Sequence, residues 1–372
     1  MKRIVIAGGG VAAFESALAA RKTDAEAEIT ICQKETVLPY RRPALSALVA
    51  NDEEPGGTFF IKDAAFYSAN AIAVKSGCEV KKIIPQEHIV ELASGETLFY
   101  DSLIIATGAS ARRIPVPGAY GNNTFVLRDY QNLYSIRGFI GNSRKKCAVI
   151  GGGLLGLELA DSLLQRGCHV TVVEGAPRLL SRNLDEEGSR FVLDRISRVA
   201  NLELLLDKKV LEITPEKVIL SDGVVECDFV AFSTGASAMI PECDGLAVKR
   251  GIVVDKNMRT NLPDIFAAGD CAETGGVCCG LYTMASSMGK VAGICAAAGN
   301  AEYVPSVYPA RFNALGVKIF SAGYPDENMH SELDVNGENY CRVFYSADGK
   351  IAAAVLIGDV SAGVKYLKEM NI

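Results

Sequence analysis

The stretch that decides the fold is CAVIGGGLLGLELADSLLQRGCHVTVVE, residues 147–174. It begins with a short apolar strand, passes through Gly151-Gly152-Gly153 into a helical segment, and ends in the β-branched strand VTVV. A strand, a glycine turn, a helix and a second strand form a βαβ unit. The glycines Gly151, Gly153 and Gly156 complete the pattern G-x-G-x-x-G, which in this context indicates a dinucleotide-binding loop.

Each position of this loop has a physical role. The first glycine permits the tight turn, the second lets backbone approach a pyrophosphate, and the third allows close packing of helix on strand. Glu174 follows Gly156 by 18 positions and stands at the end of the second strand. Its carboxylate would accept both ribose hydroxyls of NADH and repel the extra phosphate of NADPH. The alternative to a dinucleotide-binding loop is a glycine-rich turn that serves only packing. Such a turn would not explain why a strand, a helix and Glu174 all stand at the spacing of a dinucleotide-binding unit.

The same order occurs once more, at the beginning of the chain. A strand at Ile4 to Ile6 is followed by Gly8-Gly9-Gly10, a helix over residues 11–21 and the strand ITIC. Gly8, Gly10 and Ala13 form the packing variant G-x-G-x-x-A. Gln33 occupies the strand-end position and Glu35 lies two residues later. Either side chain could hold a ribose, and the pattern leaves this choice open.

Two further segments close the two units. YDSLIIATGA ends at Ala109 and CDFVAFSTGA ends at Ala236, and the first is followed by a proline-rich crossover, residues 112–118. From Tyr303 onward the pattern changes to short strands with a helical tail. The sequence therefore predicts an α/β protein with two Rossmann-like dinucleotide-binding domains and a small α+β C-terminal domain. The predicted boundaries are 1–111 with 237–303, then 112–236, then 304–372.

Composition excludes several classes of protein. Apolar residues make up 49% and charged residues 22%, which excludes wholesale disorder. No apolar run reaches the roughly 18 residues of a membrane helix. The formal net charge of −6 and the lack of a long basic block argue against nucleic acid. The eleven cysteines include no CxxC motif, so they fit neither a disulphide framework nor a zinc ribbon and favour a reducing cytoplasm. Glu15 argues against a signal peptide over residues 1–22.

A fourth motif, TNLPDIFAAGDCAE at residues 260–273, places Asp270 after a strand and before a helix of small residues, 283–298. Taken alone, Asp270 could be a plain helix cap. Together, GGGVAAFE, ATG at residues 106–108, GGGLLGLE and PDIFAAGD resemble the pyridine nucleotide-disulphide oxidoreductase superfamily, in the order of that family.

The resemblance implies a distribution of cofactors. It implies that the first glycine loop holds FAD and the second holds NADH, and that Asp270 contacts the ribityl-pyrophosphate region of FAD. Glu158 matches a glutamate close to the nicotinamide, although a carboxylate favoured by the helix dipole is an equal alternative. Arg41 and Arg42 could neutralise FAD phosphates, meet an acidic partner, or be solvated. The remaining residues expected at the FAD site are Ala106, Thr107 and Gly108.

The branch of the family is indicated by what the sequence lacks. Disulphide reductases of the family carry cysteines near the first crossover helix, but LPYRRPALSALVAN at residues 38–51 has none. This segment resembles the branch that passes electrons to small iron proteins. Ala47 stands where the oxygenase-linked ferredoxin reductases usually have lysine. That departure favours the rubredoxin-reducing branch and the flavin module of assimilatory nitrite reductase.

The predicted function is therefore that of an FAD-dependent NADH oxidoreductase that passes electrons to a small one-electron protein, most simply rubredoxin. The flavin is the catalyst, so no catalytic side chain and no metal are expected. Alternatives are an NADH oxidase, a nitrite-reductase flavin subunit, and a flavin-binding redox sensor or scaffold. The adjacent pair Cys278-Cys279 is interpreted as small buried thiols. A basic patch for the acidic carrier is expected from Arg41, Arg42, Arg311 and Lys318.

Overall fold

The computed structural model describes residues 1–278 and 280–370. Its strands are β1 Arg3–Ala7, β2 Glu28–Gln33, β3 Ile72–Ser76, β4 Val80–Ile84, β5 Ile89–Leu92, β6 Thr97–Phe99, β7 Ser102–Ile105, β8 Ala109–Ala111, β9 Thr124–Val126, β10 Lys146–Ile150, β11 His169–Val173, β12 Leu202–Leu205, β13 Val210–Ile213, β14 Lys217–Leu220, β15 Gly223–Glu226, β16 Phe229–Phe232, β17 Ala236–Ala238, β18 Glu242–Cys243, β19 Ile252–Val253, β20 Ile265–Ala267, β21 Ala272–Thr274, β22 Val277–Cys278, β23 Ala310–Ala314, β24 Val317–Gly323, β25 His330–Asn336, β26 Asn339–Tyr345 and β27 Ile351–Ile357.

The helices are α1 Val11–Thr23, α2 Leu45–Leu48, α3 Ala64–Ala69, α4 Tyr130–Ile140, α5 Leu154–Gln165, α6 Glu186–Ile196, α7 Tyr282–Ala296 and α8 Gly363–Met370, with 3-10 turns at Arg42–Ala44 and Pro85–Glu87. The helices α1, α5, α7 and α8 lie where the sequence predicts helices, whereas α2, α3, α4 and α6 were not predicted. Among the described residues, no helix combines the length and the apolar character needed to cross a bilayer.

The chain forms two compact units. Unit 1 comprises Met1–Ala44, Glu54–Ser110 and Ala236–Pro305, and unit 2 comprises Leu45–Glu53, Ala111–Gly235 and the residues from Ser306 onward. Each unit contains a five-stranded parallel sheet with a glycine loop after one of its central strands, in the order β20-β7-β1-β2-β3 in unit 1 and β12-β11-β10-β16-β9 in unit 2. The predicted fold class, with two Rossmann-like domains, is thereby confirmed.

In unit 1, helices α1 and α7 pack against each other at very short range. A Cβ on Gly289 would lie 2.4 Å from the backbone oxygen of Ala12, and one on Gly293 would lie 2.2 Å from that of Ser16. The Ser16 hydroxyl donates to the Gly289 carbonyl at 2.9 Å. Glycine at these two positions of α7 therefore permits the close approach that fixes α1 and the loop before it.

In unit 2, the C-terminal strands form an antiparallel sheet in the order β23-β24-β27-β26-β25. Helix α8 covers one face of this sheet through Tyr366, Leu367 and Met370, which pack on Phe320 and Leu356. The predicted α+β character of this segment is confirmed, and helix α6 contacts strands β24 and β27 of the same sheet.

Candidate functional site

The glycine loop of unit 1 lies at the carboxyl end of β1. Gly8 has φ +133°, and a Cβ there would come within 2.0 Å of the Ala106 carbonyl oxygen. At Gly10, by contrast, a Cβ would meet nothing within 4 Å. Gly10 is the N-cap of α1, where no side chain caps the helix and no acidic residue occupies the first turn. The start of α1 thus combines space beside Gly10 with a helix end that no side chain caps, which are features of an anion-binding helix N-terminus.

The other FAD residues expected from sequence gather at the same sheet edge. Ala106, Thr107 and Gly108 directly follow β7, and Thr107 donates from its hydroxyl to the carbonyl of Met239. Asp270 follows β20, the neighbouring strand. A Cβ on Gly269, the residue before it, would lie 2.9 Å from the Ala12 side chain in the first turn of α1. Asp270 is not a helix cap, because α7 begins only at Tyr282.

Gln33 and Glu35 have different surroundings. Gln33 is buried, and its amide nitrogen donates to the carbonyl of Val37 and, at 2.9 Å, to the hydroxyl of Ser76. Both N–H bonds of this amide are thus used to fix the loop after β2. Glu35 accepts from Tyr40 and from Arg42, each at 2.6 Å. The structure therefore places Arg42, predicted as a phosphate ligand, against Glu35.

The glycine loop of unit 2 repeats the geometry of the first. Gly151 has φ +117° and its Cβ would lie 2.4 Å from the Ser233 carbonyl oxygen, while a Cβ on Gly156 would lie 2.0 Å from that of Gly151. A Cβ on Gly153 would meet nothing within 4 Å. Gly153 caps α5 with no side-chain bond and no acidic residue in the first turn. The first and third glycines are required by packing, and the second leaves room for a ligand.

Glu174 is fixed beside this loop. One carboxylate oxygen accepts from the Gly152 N–H at 2.6 Å, and the other accepts from the Ala176 N–H at 2.7 Å. Arg178, four residues later, donates to the Leu184 carbonyl at 2.7 Å. Each carboxylate oxygen has a further lone pair available, so Glu174 can also accept from the hydroxyls of a bound ribose.

Glu158 lies in the second turn of α5 and accepts from the Ser46 hydroxyl at 3.1 Å. Burial raises the pKa of Glu158, and the bond from Ser46 offsets only part of this effect. A carboxylate stabilised by the positive end of the helix would have a lowered pKa instead. The raised pKa of Glu158 therefore follows from its burial.

The four basic residues expected at a docking patch are divided between the units. Arg41 and Arg42 belong to unit 1, Arg311 and Lys318 to unit 2. Arg41, Arg311 and Lys318 are exposed. Arg42 is not available as a free charge, because it pairs with Glu35 at 2.6 Å.

The described cysteines are free thiols, and none lies between residues 33 and 77. Burial raises the pKa of Cys32 to about 12. Cys278 is partly buried near Glu273, and its neighbour Cys279 lies outside the described residues. Within residues 1–278 and 280–370, no group of His, Cys, Asp and Glu side chains is arranged to hold a metal ion.

Sequence reasoning missed one part of this site, the segment between Glu174 and α6. Leu179 packs on Gly152, where a Cβ would lie 2.5 Å from its side chain. The Leu180 N–H donates to the Gly152 carbonyl at 3.1 Å. The signal that the sequence carries for these contacts is the leucine pair Leu179-Leu180, five and six positions after Glu174; both leucines are buried.

Comparison with known proteins agrees with this geometry. The profile of the family described as pyridine nucleotide-disulphide oxidoreductase matches residues 2–293. The chain belongs to this family. It is 33% identical over 380 residues to an NADH-rubredoxin oxidoreductase of Clostridium acetobutylicum, across 99% of this chain and 94% of that protein. It is also 31% identical to the nitrite reductase (NADH) large subunit of Escherichia coli. That match extends over 96% of this chain but only 44% of the subunit.

Solved structures show the same likeness. The crystal structure of the Clostridium acetobutylicum NADH:rubredoxin oxidoreductase superposes with a TM-score of 0.80, at 29% identity and with 99% of this chain and 94% of that chain covered. The ferredoxin reductase for the CYP199A2 system of Rhodopseudomonas palustris gives a TM-score of 0.88 at 26% identity, with 98% and 93% covered. The predicted family and enzyme class, a pyridine-nucleotide oxidoreductase, are confirmed.

Proposed function

We propose that the protein is an NADH:acceptor oxidoreductase that uses FAD and passes electrons to a small one-electron carrier protein, with rubredoxin as the acceptor. One observation carries the proposal: each unit has a glycine loop whose first glycine is required by packing and whose second glycine, Gly10 or Gly153, faces open space. When bound, FAD accepts a hydride from NADH and releases the two electrons one at a time.

In unit 1, we assign the FAD pyrophosphate to the loop of Gly8, Gly10 and Ala13, where backbone N–H groups and the α1 dipole favour an anion. We assign the ribose to Glu35 and not to Gln33, because the Gln33 residue is only 2% exposed whereas the Glu35 side chain is 19% exposed and both its oxygens can accept from hydroxyls. Tyr40 and Arg42 orient the Glu35 carboxylate and compensate its charge. Ala106, Thr107, Gly108 and Asp270 complete the FAD site at the carboxyl edge of the sheet.

In unit 2, we assign NADH to the loop of Gly151, Gly153 and Gly156. Glu174 accepts the ribose hydroxyls, and its bonds to two backbone N–H groups hold it in place before the ligand arrives. Its negative charge disfavours the phosphate of NADPH. Glu158 is assigned to the nicotinamide end of NADH; burial raises the pKa of this carboxyl, and the Ser46 hydroxyl donates to it at 3.1 Å.

The electron acceptor is proposed from the relatives and from the cysteines. The Clostridium acetobutylicum relative is named an NADH-rubredoxin oxidoreductase, and it matches this chain over nearly the full length of both proteins. No cysteine lies between residues 33 and 77, so electrons leave FAD without a thiol relay. The nitrite reductase likeness supports a second candidate, a flavin module serving a nitrite-reducing partner, because the chain spans less than half of those relatives.

We also propose the three-domain division, with the FAD domain at 1–111 and 237–303, the NADH domain at 112–236 and the C-terminal domain at 304–372. The antiparallel sheet of β23 to β27, unlike the parallel sheets of the two glycine-loop domains, supports a separate domain for the last segment. We propose the cytoplasm as the location, because the ten described cysteines are free thiols.

The cofactor assignment is tested by a pair of matched variants, Gly10→Val and Gly153→Val. Both positions have extended backbone near φ −85°, which valine adopts, and both have space for the new side chain. Folding should therefore survive. Gly10→Val should lose FAD, measured as flavin absorbance per chain, by at least about tenfold. Gly153→Val should keep FAD but bind NADH at least about tenfold more weakly. Each variant is the control for the other, and a colourless wild type that cannot be reconstituted with FAD would refute the assignment.

The acceptor is tested by turnover of the FAD-loaded protein with NADH, anaerobically with rubredoxin, flavodoxin or a nitrite reductase partner, and in a separate aerobic assay with dioxygen. Rubredoxin should be reduced with the highest kcat/KM. A preference for the nitrite reductase partner would support the second candidate, and a preference for dioxygen would indicate an NADH oxidase. If NADH reduces the flavin but every acceptor reacts slowly, the protein is a redox sensor and the proposed enzyme function is wrong.

A further inference from the structure

The segment from Glu174 to Asp185 connects the ribose acid with helix α6, and its first half builds the dinucleotide loop of unit 2. The Gly152 N–H donates to Glu174 at 2.6 Å, and the Gly152 carbonyl accepts from the Leu180 N–H at 3.1 Å. Leu179 packs directly on Gly152. The middle glycine of the loop is therefore held from both sides by this segment.

The second half of the segment is held by the C-terminal antiparallel sheet. The Ser321 hydroxyl of β24 donates to the Asn183 carbonyl at 2.5 Å. The Tyr340 hydroxyl of β26 donates to Asp185 at 2.5 Å, and the Arg342 guanidinium of the same strand donates to the same carboxylate oxygen at 2.8 Å. We refer to Asp185, Tyr340 and Arg342 as the Asp185 cluster.

The Asp185 carboxylate is buried, and its hydrogen bonds from Tyr340 and Arg342 compensate its burial. Its side chain is 0% exposed, and it also caps α6 through the Gly188 N–H. Its second oxygen has no hydrogen-bond partner within the described part of the chain. A buried carboxylate that loses a partner is strongly disfavoured, so the position of Asp185 is tied to the position of the sheet.

Hydrogen bonds and one left-handed residue connect the first half of the segment, at Gly152, with the second half, at Asp185. Leu180 has φ +52°, a left-handed conformation that a leucine keeps only where its surroundings determine it. The Ser189 hydroxyl of α6 donates to the Leu179 carbonyl at 2.7 Å, and Arg178 donates to the Leu184 carbonyl at 2.7 Å. A displacement of Asp185 is therefore transmitted to Leu179 and Leu180, which contact Gly152.

We propose that the Asp185 cluster is a positioning device through which the C-terminal sheet sets the affinity of unit 2 for the ADP-ribose half of NADH. The proposal rests on the NADH assignment made above. Tyr340 and Arg342 are positioning residues, because they act through Asp185 and the segment that follows Glu174.

The test uses the FAD-loaded full chain and the variants Tyr340→Phe and Arg342→Met. Binding of ADP-ribose is measured by calorimetry, which needs no turnover. Each variant should raise the dissociation constant about three- to tenfold, a range typical of mutations that alter coupling without touching the ligand. The KM for NADH should rise by a similar factor, while kcat and the flavin content per chain should not change.

Two controls separate positioning from general loss of stability. Tyr345→Phe removes another hydroxyl from β26, the one that donates to Glu332, and should leave ADP-ribose binding unchanged. Leu356→Ala lowers the stability of the same sheet on its α8 face, away from the cluster. If Leu356→Ala weakens binding as much as Tyr340→Phe does, general destabilisation explains the effect and the proposal is wrong.

The remaining outcomes are distinct. Dissociation constants of both cluster variants within twofold of the wild type would overturn the proposal and leave the NADH assignment intact. If the wild type fails to bind ADP-ribose, the NADH assignment itself fails. Should the cluster variants not fold, Ser321→Ala, which removes only the bond to Asn183, must weaken ADP-ribose binding, or the proposal is wrong.

Discussion

Glu174 holds the glycine loop of unit 2 and is the residue proposed to bind the ribose of NADH. Its two carboxylate oxygens accept from the backbone N–H groups of Gly152 and Ala176. Glu174→Ala would leave both donors without this acceptor, at a cost of about 1–3 kcal/mol for each donor that stays buried. Glu174→Gln keeps one carbonyl oxygen and removes the charge, so it tests cofactor preference with less disturbance of the loop.

We expect Glu174→Gln to lower the ratio of kcat/KM for NADH to kcat/KM for NADPH by about tenfold, because repulsion of the extra phosphate disappears. Arg178 contributes little to this change, since its guanidinium is bonded to the Leu184 carbonyl. Steady-state kinetics with both cofactors measure the ratio. A wild type that uses NADH and NADPH equally well would show that Glu174 does not face the ribose.

The choice between Gln33 and Glu35 illustrates what the sequence could not resolve at this scale. Both residues stand near the end of β2 with side chains of nearly equal length. The burial of Gln33, on which the proposed choice of Glu35 rests, involves Ser76, 43 residues away, which accepts from the Gln33 amide. A local pattern contains no information about such a partner, whereas the spacing of Gly8, Gly10 and Ala13 is local and was predicted correctly as a tight turn with an open second position.

At the scale of elements, the packing of α7 on α1 depends on glycine. Gly289→Val would place side-chain atoms against the Ala12 backbone, where even a Cβ would lie at 2.4 Å. We expect this variant to lower the melting temperature by several degrees and to weaken FAD retention, because α1 carries the pyrophosphate loop. Differential scanning calorimetry and flavin absorbance measure the two effects.

Gly138→Ala in α4 is the matched control. A Cβ there meets nothing within 4 Å, so the substitution should be neutral or stabilise the chain by about 0.5–1 kcal/mol. If Gly138→Ala lost as much stability as Gly289→Val, the loss of a helical glycine would be costly without any close contact, and the packing of α7 on α1 would not explain the result.

Element positions were well predicted from sequence where the pattern is periodic. The small-residue helix expected at 283–298 is α7, Tyr282–Ala296, and the helix expected from residue 11 is α1, Val11–Thr23. What the sequence could not show is which of the α7 glycines face α1. Helical rows of small residues look alike in sequence, and their orientation follows from the partner helix.

At the scale of the whole molecule, the sequence predicted a separate C-terminal α+β segment but not what it does. Tyr340 and Asp185 are 155 residues apart in the chain, and no motif connects them. Their pairing follows from the sheet on which Tyr340 lies and the helix that Asp185 caps. Contacts of this kind become visible only when the tertiary structure is known.

Docking of the electron carrier is also a property of the whole surface. The chain has a net charge of −6, so an acidic carrier must overcome an average repulsion and needs a local basic area. Arg42 adds less to this area than a solvated arginine would, because Glu35 compensates its charge at 2.6 Å. Arg311 and Lys318 remain exposed on β23 and β24, and the strand register places both on one face of the sheet.

We therefore expect Arg311→Glu with Lys318→Glu to slow rubredoxin reduction at low ionic strength about tenfold, while the rate of flavin reduction by NADH stays unchanged. The difference should shrink as salt is raised, because the Debye length falls from about 30 Å at 0.01 M to about 10 Å at 0.1 M. Arg41→Glu, measured alone, shows whether unit 1 contributes to the same encounter. Stopped-flow rates across a salt series separate the two electron-transfer steps. If the reversals change neither the rubredoxin rate nor its salt dependence, the carrier docks on a different face and the basic area assigned to β23 and β24 is wrong.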